Sequence, residues 1–489
     1  MVKEVICVHL GQAGVQVGYD VWELFCAEHQ IGCDGHALQS SVLPPGVDAP
    51  HESFFYETGS GQYVPRSVMF DLDPSAVDEV RNSRLKHLFH PESLVNFKQD
   101  SGGTFVQGQQ MGRQCKQVPL LMDRVRLAVD LCDNFQGFFV FRSWGGGTGG
   151  GVGVDALEEL GDAFCVESYK KIFEVVIYPS AEHGTTTVEP YNCVFSGALS
   201  RHLADLSYML DNQAAYNMCR HKMKVSNPTF EDLNAVLAQV VSASTLSLRY
   251  DVELNSTLDE ICTNIIPEPQ FRYPIVSLAP VRSKKSAGHE NFSPYEITKE
   301  LFESKNLLCD AGPHFLQNRF EAACVVFRGE GDTGYGAVPV QACEVYDAIR
   351  RLKNPTSRAH IPKFCPWIKN LGFKVGIVGV PPVTTPNSPF VKTKRQAALL
   401  SNSTAVRNLF IRQYRKFLKL FYHKAFVHQY IAQGFTMDDF LEALEQYRDI
   451  IETYRIRLNQ CKETEEEMQR QALGLTGPPP TDTAATATQ

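Results

Sequence analysis

No run of about 20 uninterrupted apolar residues, the length that crosses a bilayer, occurs in this chain of 489 residues. We therefore expect no membrane-spanning helix. The first four residues lead directly into an apolar segment at 5–10, and the long apolar stretch and small-residue cleavage site of an export signal are missing. Together these absences predict a cytoplasmic protein.

The Cys-x-x-Cys spacing is also missing, although the chain has 14 cysteines. This excludes the usual zinc-binding spacings, and we interpret the cysteines as reduced, mostly buried thiols. Acidic residues outnumber basic ones, 55 against 47, and the net charge of −8 argues against a general nucleic-acid-binding surface. A hydrophobic content of 43% excludes global disorder.

Residue patterning divides the chain into four segments and predicts an α/β fold. Residues 1–212 alternate short β-branched or aromatic runs with helical patterns, which indicates a Rossmann-like parallel sheet covered on both faces. Residues 213–402 have a less regular mixture, which we interpret as a second α/β domain. Residues 403–470 predict a C-terminal helical hairpin, and the Pro-, Ala- and Thr-rich segment 471–489 predicts a disordered tail.

The strongest individual patterns give definite element predictions. The predicted strands lie at 5–10, 68–71, 137–141, 174–178, 273–279, 322–328 and 373–379, and the predicted helices at 117–133, 155–160 and 230–248. In the C-terminal segment, one apolar face runs from Leu409 to Phe426, and Gly434 is expected to close that helix. Thr436 and Asp439 have the spacing of a capping box for the next helix.

A glycine-rich loop at 145–153 has seven glycines in nine positions, between an apolar strand pattern and a helical one. Backbone without Cβ atoms can wrap closely around an anion, and its N–H groups then point at the ligand from the start of a helix. Ser143 and Thr148 add hydroxyl donors. A flexible linker would not lie between a buried strand and a helix, so the loop predicts phosphate binding.

The loop alone does not identify the nucleotide. The Gly-x-x-x-x-Gly-Lys-Ser/Thr spacing of a P-loop is absent from the chain. Gly145, Gly147 and Gly150 formally match the dinucleotide-binding fingerprint, and Glu174 is the one acidic residue near the position at which such a site binds ribose. An NAD(P)-dependent oxidoreductase therefore stays open as an alternative.

Further motifs give the chain a specific resemblance. The segment Gly145-Gly146-Gly147-Thr148-Gly149-Gly150-Gly151 resembles the Gly-Gly-Gly-Thr-Gly-Ser-Gly signature of tubulins, with Gly150 in place of serine. Other segments that match tubulins in the same order lie at 9–18, 89–92, 188–192, 211–212, 372–376, 400–404 and 425–428. The resemblance covers residues 1 to about 455 and implies the tubulin fold with bound GTP or GDP and Mg²⁺.

The resemblance also implies a set of nucleotide-binding residues. Those at the phosphates are Gly11, Gln12, Ala13, Gln16, Asp100, Ser101, Gly102, Gly103, Ser143, Gly145, Gly146, Gly147, Thr148 and Gly149. Those at the ribose and the guanine are Thr185, Glu189, Asn212, Asn234 and Phe230, the last stacked on the base. Asp73, where α-tubulins have glutamate, is implied to hold Mg²⁺ through water.

Glu260 is the implied catalytic residue. In α-tubulins the matching glutamate projects into the GTP site of the next subunit and orients the attacking water, whereas β-tubulins have lysine there. The resemblance therefore implies an α-like chain whose GTPase activity is completed in trans within an assembly. A glutamate near a helix start that only offsets the helix dipole is the alternative.

Two departures from conventional tubulins point to a specialised member. The chain ends without the family's glutamate-rich tail, and residues 404–436 contain no Asp or Glu among several Lys and Arg. A basic C-terminal helix favours acidic partners. We interpret the chain as a cytoskeletal subunit that contacts β-like tubulins longitudinally, at a centriole, basal body or cilium, as in isotypes such as zeta; a non-polymerising, GTP-bound accessory scaffold is the alternative.

Overall fold

A computed structural model describes residues 3–38, 51–114, 117–166, 168–180, 182, 184–250, 252, 254–283, 292–312, 315–329, 340–353, 362–368, 372–385 and 388–472. Its strands are β1 (Glu4–Leu10), β2 (Phe55–Glu57), β3 (Tyr63–Pro65), β4 (Ser67–Asp71), β5 (Leu94–Asn96), β6 (Phe135–Ser143), β7 (Lys171–Tyr178), β8 (Leu206–Asp211), β9 (Ile275–Ala279), β10 (Arg319–Gly329), β11 (Lys363–Phe364), β12 (Phe373–Val378) and β13 (Arg395–Ser403).

The α-helices of the described residues follow the same order. They are α1 (Gly11–His29), α2 (Pro74–Asn82), α3 (Phe105–Gln114), α4 (Gln117–Asp130), α5 (Gly153–Leu160), α6 (Glu189–Leu199), α7 (Asn212–His221), α8 (Phe230–Ser244), α9 (Leu246–Arg249), α10 (Leu258–Ile265), α11 (Pro294–Leu301), α12 (Ala342–Lys353), α13 (Arg407–Tyr422), α14 (Val427–Ala432) and α15 (Met437–Ala472). The seven strand predictions and the helices predicted at 117–133 and 155–160 are confirmed, with bounds that differ by a few residues. The helix predicted at 230–248 ends at Ser244, and α9 follows it as a separate turn.

The first sheet has six parallel strands in the order β5-β4-β1-β6-β7-β8. Alternate residues of β1 face opposite sides: Val5 and Cys7 belong to one core cluster, and Ile6 and Val8 to another. Helices therefore cover both faces, which is why these strands are apolar at nearly every position. The predicted parallel sheet covered on both faces is confirmed.

The strand order reverses direction between β1 and β6. The chain places β4 and β5 on one side of β1, then returns to add β6, β7 and β8 on the other side. Ligands of open parallel sheets bind beyond the carboxyl ends of the strands at such a switch point. The topology alone therefore selects the loops after β1 and β6 as the place for a nucleotide.

The second sheet is mixed, which its sequence pattern did not specify. It has the order β11-β10-β13-β9, and β12 also pairs with β10. The long central strands β10 and β13 are antiparallel to each other, as are β13 and β9. This sheet and the helices around it lie within the region that we interpret as the second α/β domain.

The C-terminal helices pack mainly on α6 through aromatic side chains, such as Tyr191 against Phe417 and Phe440. One prediction about them is wrong. The apolar face does not form one helix to Phe426, because α13 ends at Tyr422 and Lys424 and Phe426 adopt φ of 51° and 60°. Gly434, with φ of 93°, instead follows the short helix α14. The capping box of Thr436 and Asp439 is confirmed by reciprocal hydrogen bonds.

Two further predictions concern the ends of the fold. Helix α15 continues to Ala472, so the first two residues of the segment expected to be disordered are helical. Residues 473–489, on which the rest of that prediction falls, lie outside the described residues.

None of the helices in the described part of the chain combines the length and apolar character needed to cross a membrane.

Candidate nucleotide site

The residues predicted to bind phosphate meet at the carboxyl edge of the first sheet. In chain order they are residues 11–16 after β1, Asp73 after β4, residues 100–103 after β5 and residues 143–149 at and after the end of β6. Gly11 has φ of 73°, and a Cβ there would lie 3.0 Å from the backbone N of Gly149. The first turn of α1 and the glycine loop are therefore in direct contact at the switch point, and the close approach requires glycine.

The glycine loop is tightly packed on one side and open on the other. A Cβ at Gly147 would lie 2.3 Å from Ser101 Oγ, whereas a Cβ at Gly146 would meet no atom within 4 Å. Backbone around Gly146 therefore faces free space. Ser143 Oγ accepts a hydrogen bond of 3.2 Å from Gly145 N, which holds the start of the loop. An anion could approach the N–H groups from this open side.

Arg142, fully buried at the end of β6, supports the glycine loop from behind. Its Nη1 donates to the carbonyl oxygens of Gly149 (3.2 Å) and Gly150 (3.4 Å), and its Nε donates to Glu174. Glu174 also accepts from the indole of Trp144 at 2.9 Å. The acidic residue on which the oxidoreductase alternative depended is therefore part of an internal ion pair and does not face a ribose.

The loop at 100–103 packs against the glycine loop through Ser101. Asp100 Oδ1 accepts from Ser101 N at 2.6 Å, and Gly102 and Gly103 have φ of 57° and 71°. A Cβ at Gly103 would be 3.4 Å from Thr186. Glycine at this position suits the left-handed backbone but supplies no side-chain donor.

The residues predicted at the ribose and the base lie further along the same edge. Thr185 N and Oγ1 both donate to Glu189 Oε1, at 2.6 and 2.8 Å, so these two residues form one unit. Asn212 is the first residue of α7 and Phe230 the first of α8, where its ring is 65% exposed. Asn234 lies one turn further along α8, on the side of Phe230. An exposed aromatic ring beside an amide suits stacking on a base.

The packing of α8 on α1 shows how far the residues predicted at the base lie from the glycine loop. Burial, and then the carboxylates of Glu23 and Glu231, raises the pKa of Asp20 to about 7. Because Glu231 is the second residue of α8, that helix begins beside Asp20 in α1. Asp20 is about 14 Å along the helix from Gly11 at 1.5 Å per residue. An extended nucleotide can span this distance from the glycine loop to Phe230.

Ala13 and Gln16 lie on α1 between Gly11 and Asp20, and both are half-buried. Gln16 Nε2 is 3.4 Å from Glu79.

A carboxylate pair beside Thr148 fits a hard cation. Asp71 ends β4, and burial raises the pKa of its carboxyl to about 7, although hydrogen bonding from Leu72, Asp73 and Thr148 opposes the shift. Its buried Oδ2 has no hydrogen-bond partner among the described residues. Asp73 lies two residues further on, at the N-cap of α2. One or two carboxylates plus phosphate oxygens and water are typical Mg²⁺ ligands. Within the described residues no group of three His, Cys, Asp or Glu could hold a metal alone.

Glu260 is not part of this cluster. Helix α10 lies at the opposite edge of the sheet, where Leu258 Cδ1 would be 3.0 Å from a Cβ at Gly137 and Asp259 is 3.7 Å from Lys171 Nζ. Lys171 is the first residue of β7, and the eight residues of this strand span about 26 Å. The strand ends at the carboxyl edge of the sheet, where the predicted nucleotide-binding residues lie. The carboxylate and the glycine loop of one chain are therefore separated by the length of the sheet.

The alternative role of Glu260 in its own helix is observed. Thr257 caps α10 by accepting from Glu260 N at 3.1 Å. Glu260 Oε2 in turn accepts from Ser256 N at 2.7 Å and from Ser256 Oγ at 3.0 Å. The side chain is exposed, and its Oε1 has no hydrogen bond within the part of the chain that the structure describes. Capping therefore uses one carboxylate oxygen and leaves the other for a further contact.

Sequence reasoning missed three residues that shape the site: Asp71, Arg142 and Asn192. Asn192 lies in the tubulin-like segment 188–192 and Asp71 lies two residues before Asp73, but in each case the role was assigned to a neighbouring residue. Arg142 gave no signal beyond a charged residue at the end of an apolar strand, and its partner Glu174 is 32 positions away. A charge inside a strand that is otherwise buried is the one cue that could have identified this pair.

Comparison with known proteins agrees with the topology and the loop geometry. The family model "Tubulin/FtsZ family, GTPase domain" matches residues 4–220, and "Tubulin C-terminal domain" matches residues 269–414. The chain is similar to the tubulin alpha-1 chain of Saccharomyces cerevisiae, at 38% identity over 455 residues, which are 92% of this chain and 97% of the relative. It is also similar to the tubulin alpha chains of Eremothecium gossypii (39%, 92% and 97% covered) and Pneumocystis carinii (36%, 92% and 96% covered).

Proposed function

Because this chain belongs to the tubulin family, and its relatives named above are alpha chains, we propose that it is an α-like, GTP-binding cytoskeletal subunit. In this proposal the phosphates lie between the start of α1 at 11–16, the loop at 100–103 and the glycine loop. Thr185 and Glu189 contact the ribose, Asn212 and Asn234 the guanine edge, and Phe230 stacks on the base. Asp73 holds Mg²⁺ through water, with Asp71 beside it; the ion would neutralise phosphate charge there.

One observation carries the assembly part of the proposal, which is the position of α10. Helix α10 lies beside the first residue of β7, a strand of about 26 Å that ends at the other edge of the sheet, so its carboxylate cannot reach the chain's own nucleotide. If a second subunit stacks on the first in the same orientation, the α10 edge of one meets the nucleotide edge of the next. Such a head-to-tail contact is heterologous and continues into a filament. We propose this longitudinal arrangement, with a β-like tubulin as the neighbour.

In that arrangement Glu260 orients the water that attacks the neighbour's GTP. The free Oε1 supplies a hydrogen-bond acceptor, while Oε2 stays bonded to Ser256 and fixes the carboxylate on its helix. Positioning of water by a carboxylate is a contribution of about 10²–10⁴-fold in rate. The rate at which the chain's own GTP is hydrolysed depends in the same way on the residue that the neighbouring subunit presents to it.

The first test is to identify the ligand and the assembly state of the purified full chain. Heating is expected to release guanine nucleotide, and the protein is expected to co-sediment with tubulin when GTP is present. Release of NAD(P) would contradict the nucleotide assignment. A guanine-bound protein that stays soluble beside tubulin would favour the accessory scaffold and contradict longitudinal assembly.

The trans role of Glu260 predicts a specific kinetic defect. In mixed assemblies with a β-like tubulin, Glu260→Gln is expected to slow hydrolysis of the partner's GTP by about 100-fold or more, because the amide cannot act as a carboxylate toward water. The variant's own nucleotide content should not change, since the side chain lies at the opposite edge of the sheet. Phosphate release and bound nucleotide are measured on the same samples.

The chain contains a matched control for this substitution. Glu296 Oε2 accepts from Ser293 N at 3.0 Å and from Ser293 Oγ at 3.1 Å in the capping box of α11. Glu296→Gln therefore changes an equivalent helix cap elsewhere and should leave turnover unaltered. Equal phosphate release by wild type and the Glu260→Gln variant would exclude catalysis in trans.

A basic outer surface supports a specialised role for the subunit. Arg415, Lys419 and Lys424 are exposed and form no ion pair with any described residue. Beside them, Leu418, Phe421 and Tyr422 line a shallow groove of about 450 Å³. We propose that this surface binds an acidic partner and that the subunit serves a centriole, basal body or cilium. Imaging of the tagged protein at native level checks this, and staining of the whole microtubule array would contradict it.

A further inference from the structure

A buried asparagine forms hydrogen bonds to both the loop at 100–103 and the glycine loop, the two loops proposed to bind the phosphates. Asn192 lies in α6 and is inaccessible to solvent. Its Nδ2 donates to the carbonyl oxygens of Gly103 (2.8 Å) and Gly145 (2.9 Å). Its Oδ1 accepts from Phe105 N (2.9 Å) and from the Tyr430 hydroxyl (2.7 Å). The amide thus uses two donors and two acceptor positions, which is its full hydrogen-bonding capacity.

The hydrogen bond to Gly145 sets the direction of a peptide unit in the glycine loop. In a trans peptide the C=O and the following N–H point in opposite directions. Because Asn192 holds the Gly145 carbonyl inside the protein, the N–H of Gly146 points the other way. Gly146 is the position where an added Cβ would meet no atom within 4 Å. The asparagine therefore turns a backbone donor away from itself, at the glycine whose surroundings are open.

Tyr430 connects Asn192 to the C-terminal helix α14, because its hydroxyl donates to Asn192 Oδ1. It lies in α14, shortly after the exposed residues Tyr422 and Lys424 of the basic surface. Gln433, at the C-cap of the same helix, accepts from Thr104 Oγ1 at 3.2 Å and donates to Gln107 Oε1 at 3.1 Å. The segment at 427–434 therefore contacts Thr104, next to the loop at 100–103, and Gln107 in α3. A displacement of α14 would act first on the Tyr430–Asn192 hydrogen bond.

We propose that Asn192 is a positioning residue for the phosphate loops and that Tyr430 couples its orientation to the outer C-terminal surface. This inference rests on the proposed nucleotide site and adds its regulation. A partner that binds the outer surface and moves α14 changes nucleotide affinity, and by linkage nucleotide binding changes the affinity for that partner by the same factor. Neither residue needs to touch the nucleotide.

The test separates the two halves of the amide. Asn192→Asp keeps the acceptor for Phe105 N and the Tyr430 hydroxyl but replaces both donors with an oxygen that repels the carbonyls of Gly103 and Gly145. Release of a fluorescent GDP analogue is expected to accelerate on the order of 10–100-fold. The denaturation midpoint in urea is measured on the same preparation.

Asn402 supplies a matched control. It is also a buried asparagine, and its Nδ2 donates to the carbonyls of Ile265 (3.1 Å) and Phe271 (2.5 Å), far from the phosphate loops. Asn402→Asp makes the same chemical change, so it should lower the urea midpoint without changing GDP release. Equal acceleration of release in the two variants would overturn the positioning role.

Tyr430→Phe tests the coupling with a variant that removes one hydroxyl. GDP release is expected to accelerate about 3–10-fold, the effect of losing one hydrogen bond. Tyr191→Phe is the control, because the Tyr191 hydroxyl donates to Ala425 O at 2.9 Å in the same aromatic cluster and has no hydrogen bond to Asn192 among the described residues. Release that is unchanged in Tyr430→Phe would overturn the link to the outer segment.

Hydrogen exchange in nucleotide-free protein keeps this inference separate from the proposed function. Amides in peptides covering 100–107 and 143–150 should exchange faster in both the Asn192→Asp and the Tyr430→Phe variants, and at the wild-type rate in the two controls. Unchanged exchange in both loops would overturn the inference even if GTP is bound. A wild type without guanine nucleotide, but with the expected exchange pattern, would instead overturn the proposed function and leave the positioning pair supported.

Discussion

Gly146→Asp is expected to abolish nucleotide retention while the protein stays folded. A Cβ at this position has free space around it, so the substitution causes no clash within the protein. Its carboxylate would enter the space proposed for the phosphates. Two like charges 4–6 Å apart at an effective dielectric constant of 20 repel by roughly 3–4 kcal/mol, which weakens binding by more than about 100-fold. Nucleotide content after gel filtration measures the effect.

Gly161→Asp is the matched control for this prediction. A Cβ at Gly161 would also meet no atom within 4 Å, but this residue follows α5, at the end away from the glycine loop. The substitution introduces the same charge at an equally open site and should leave nucleotide content unchanged. Full retention of GTP by the Gly146→Asp variant would mean that the open side of the loop is not where the phosphates bind.

Glu28→Gln is expected to cause the largest loss of stability. Glu28 is buried near the end of α1, where Oε2 bonds Arg249 and Oε1 bonds Arg328, both at 2.6 Å. Removal of one partner leaves the other charges buried and uncompensated, which typically costs about 3–5 kcal/mol. Glu92→Gln removes a surface ion pair with Arg124 in which the carboxylate side chain is 60% exposed, and should cost less than about 1 kcal/mol. Urea unfolding curves of both variants check the prediction.

The pH dependence of this difference has a definite sign. Burial alone would raise the pKa of Glu28, but Arg249 and Arg328 more than offset it and hold the pKa at about 2, below the value of 4.5 for a free carboxyl. The ionised group therefore stabilises the fold fully above pH 4.5, and its contribution is lost as the pH falls from there toward 2. The free energy gap between wild type and the Glu28→Gln variant should be constant from pH 5 to 8 and shrink below that range. A gap that grows on acidification would contradict the assignment.

How much of this site the sequence could predict depends on how local each signal is. The glycine loop and the strands around it are continuous in sequence, so composition and periodicity were sufficient to predict them. Asn192 is different, because its partners lie 47–238 positions away and only the fold brings them together. The ion pair of Glu174 with Arg142 was missed for the same reason, because the two residues are 32 positions apart and the only cue is a charge inside an apolar strand.

The break after α13 shows a different limit. Lys424 and Phe426 adopt positive φ, yet neither is a residue type that predicts left-handed backbone. The apolar pattern across them is helical in period, and tertiary packing overrides it. Phe421 packs flat against Phe440 of α15 with ring centroids 5.5 Å apart, while α14 turns to place Tyr430 against Asn192. The contacts made after the chain turns, which no local pattern reports, decide where the helix ends.

Because α10 and the glycine loop lie at opposite edges of the first sheet, the molecule has two chemically different ends. No rotation exchanges these two faces, because one is built of backbone N–H groups and the other of acidic side chains on a short helix. Any stack made of such units therefore has two unlike tips, one showing bare glycine loops and the other showing Glu260. In the head-to-tail arrangement proposed above, growth and loss at the two tips would therefore involve different chemistry.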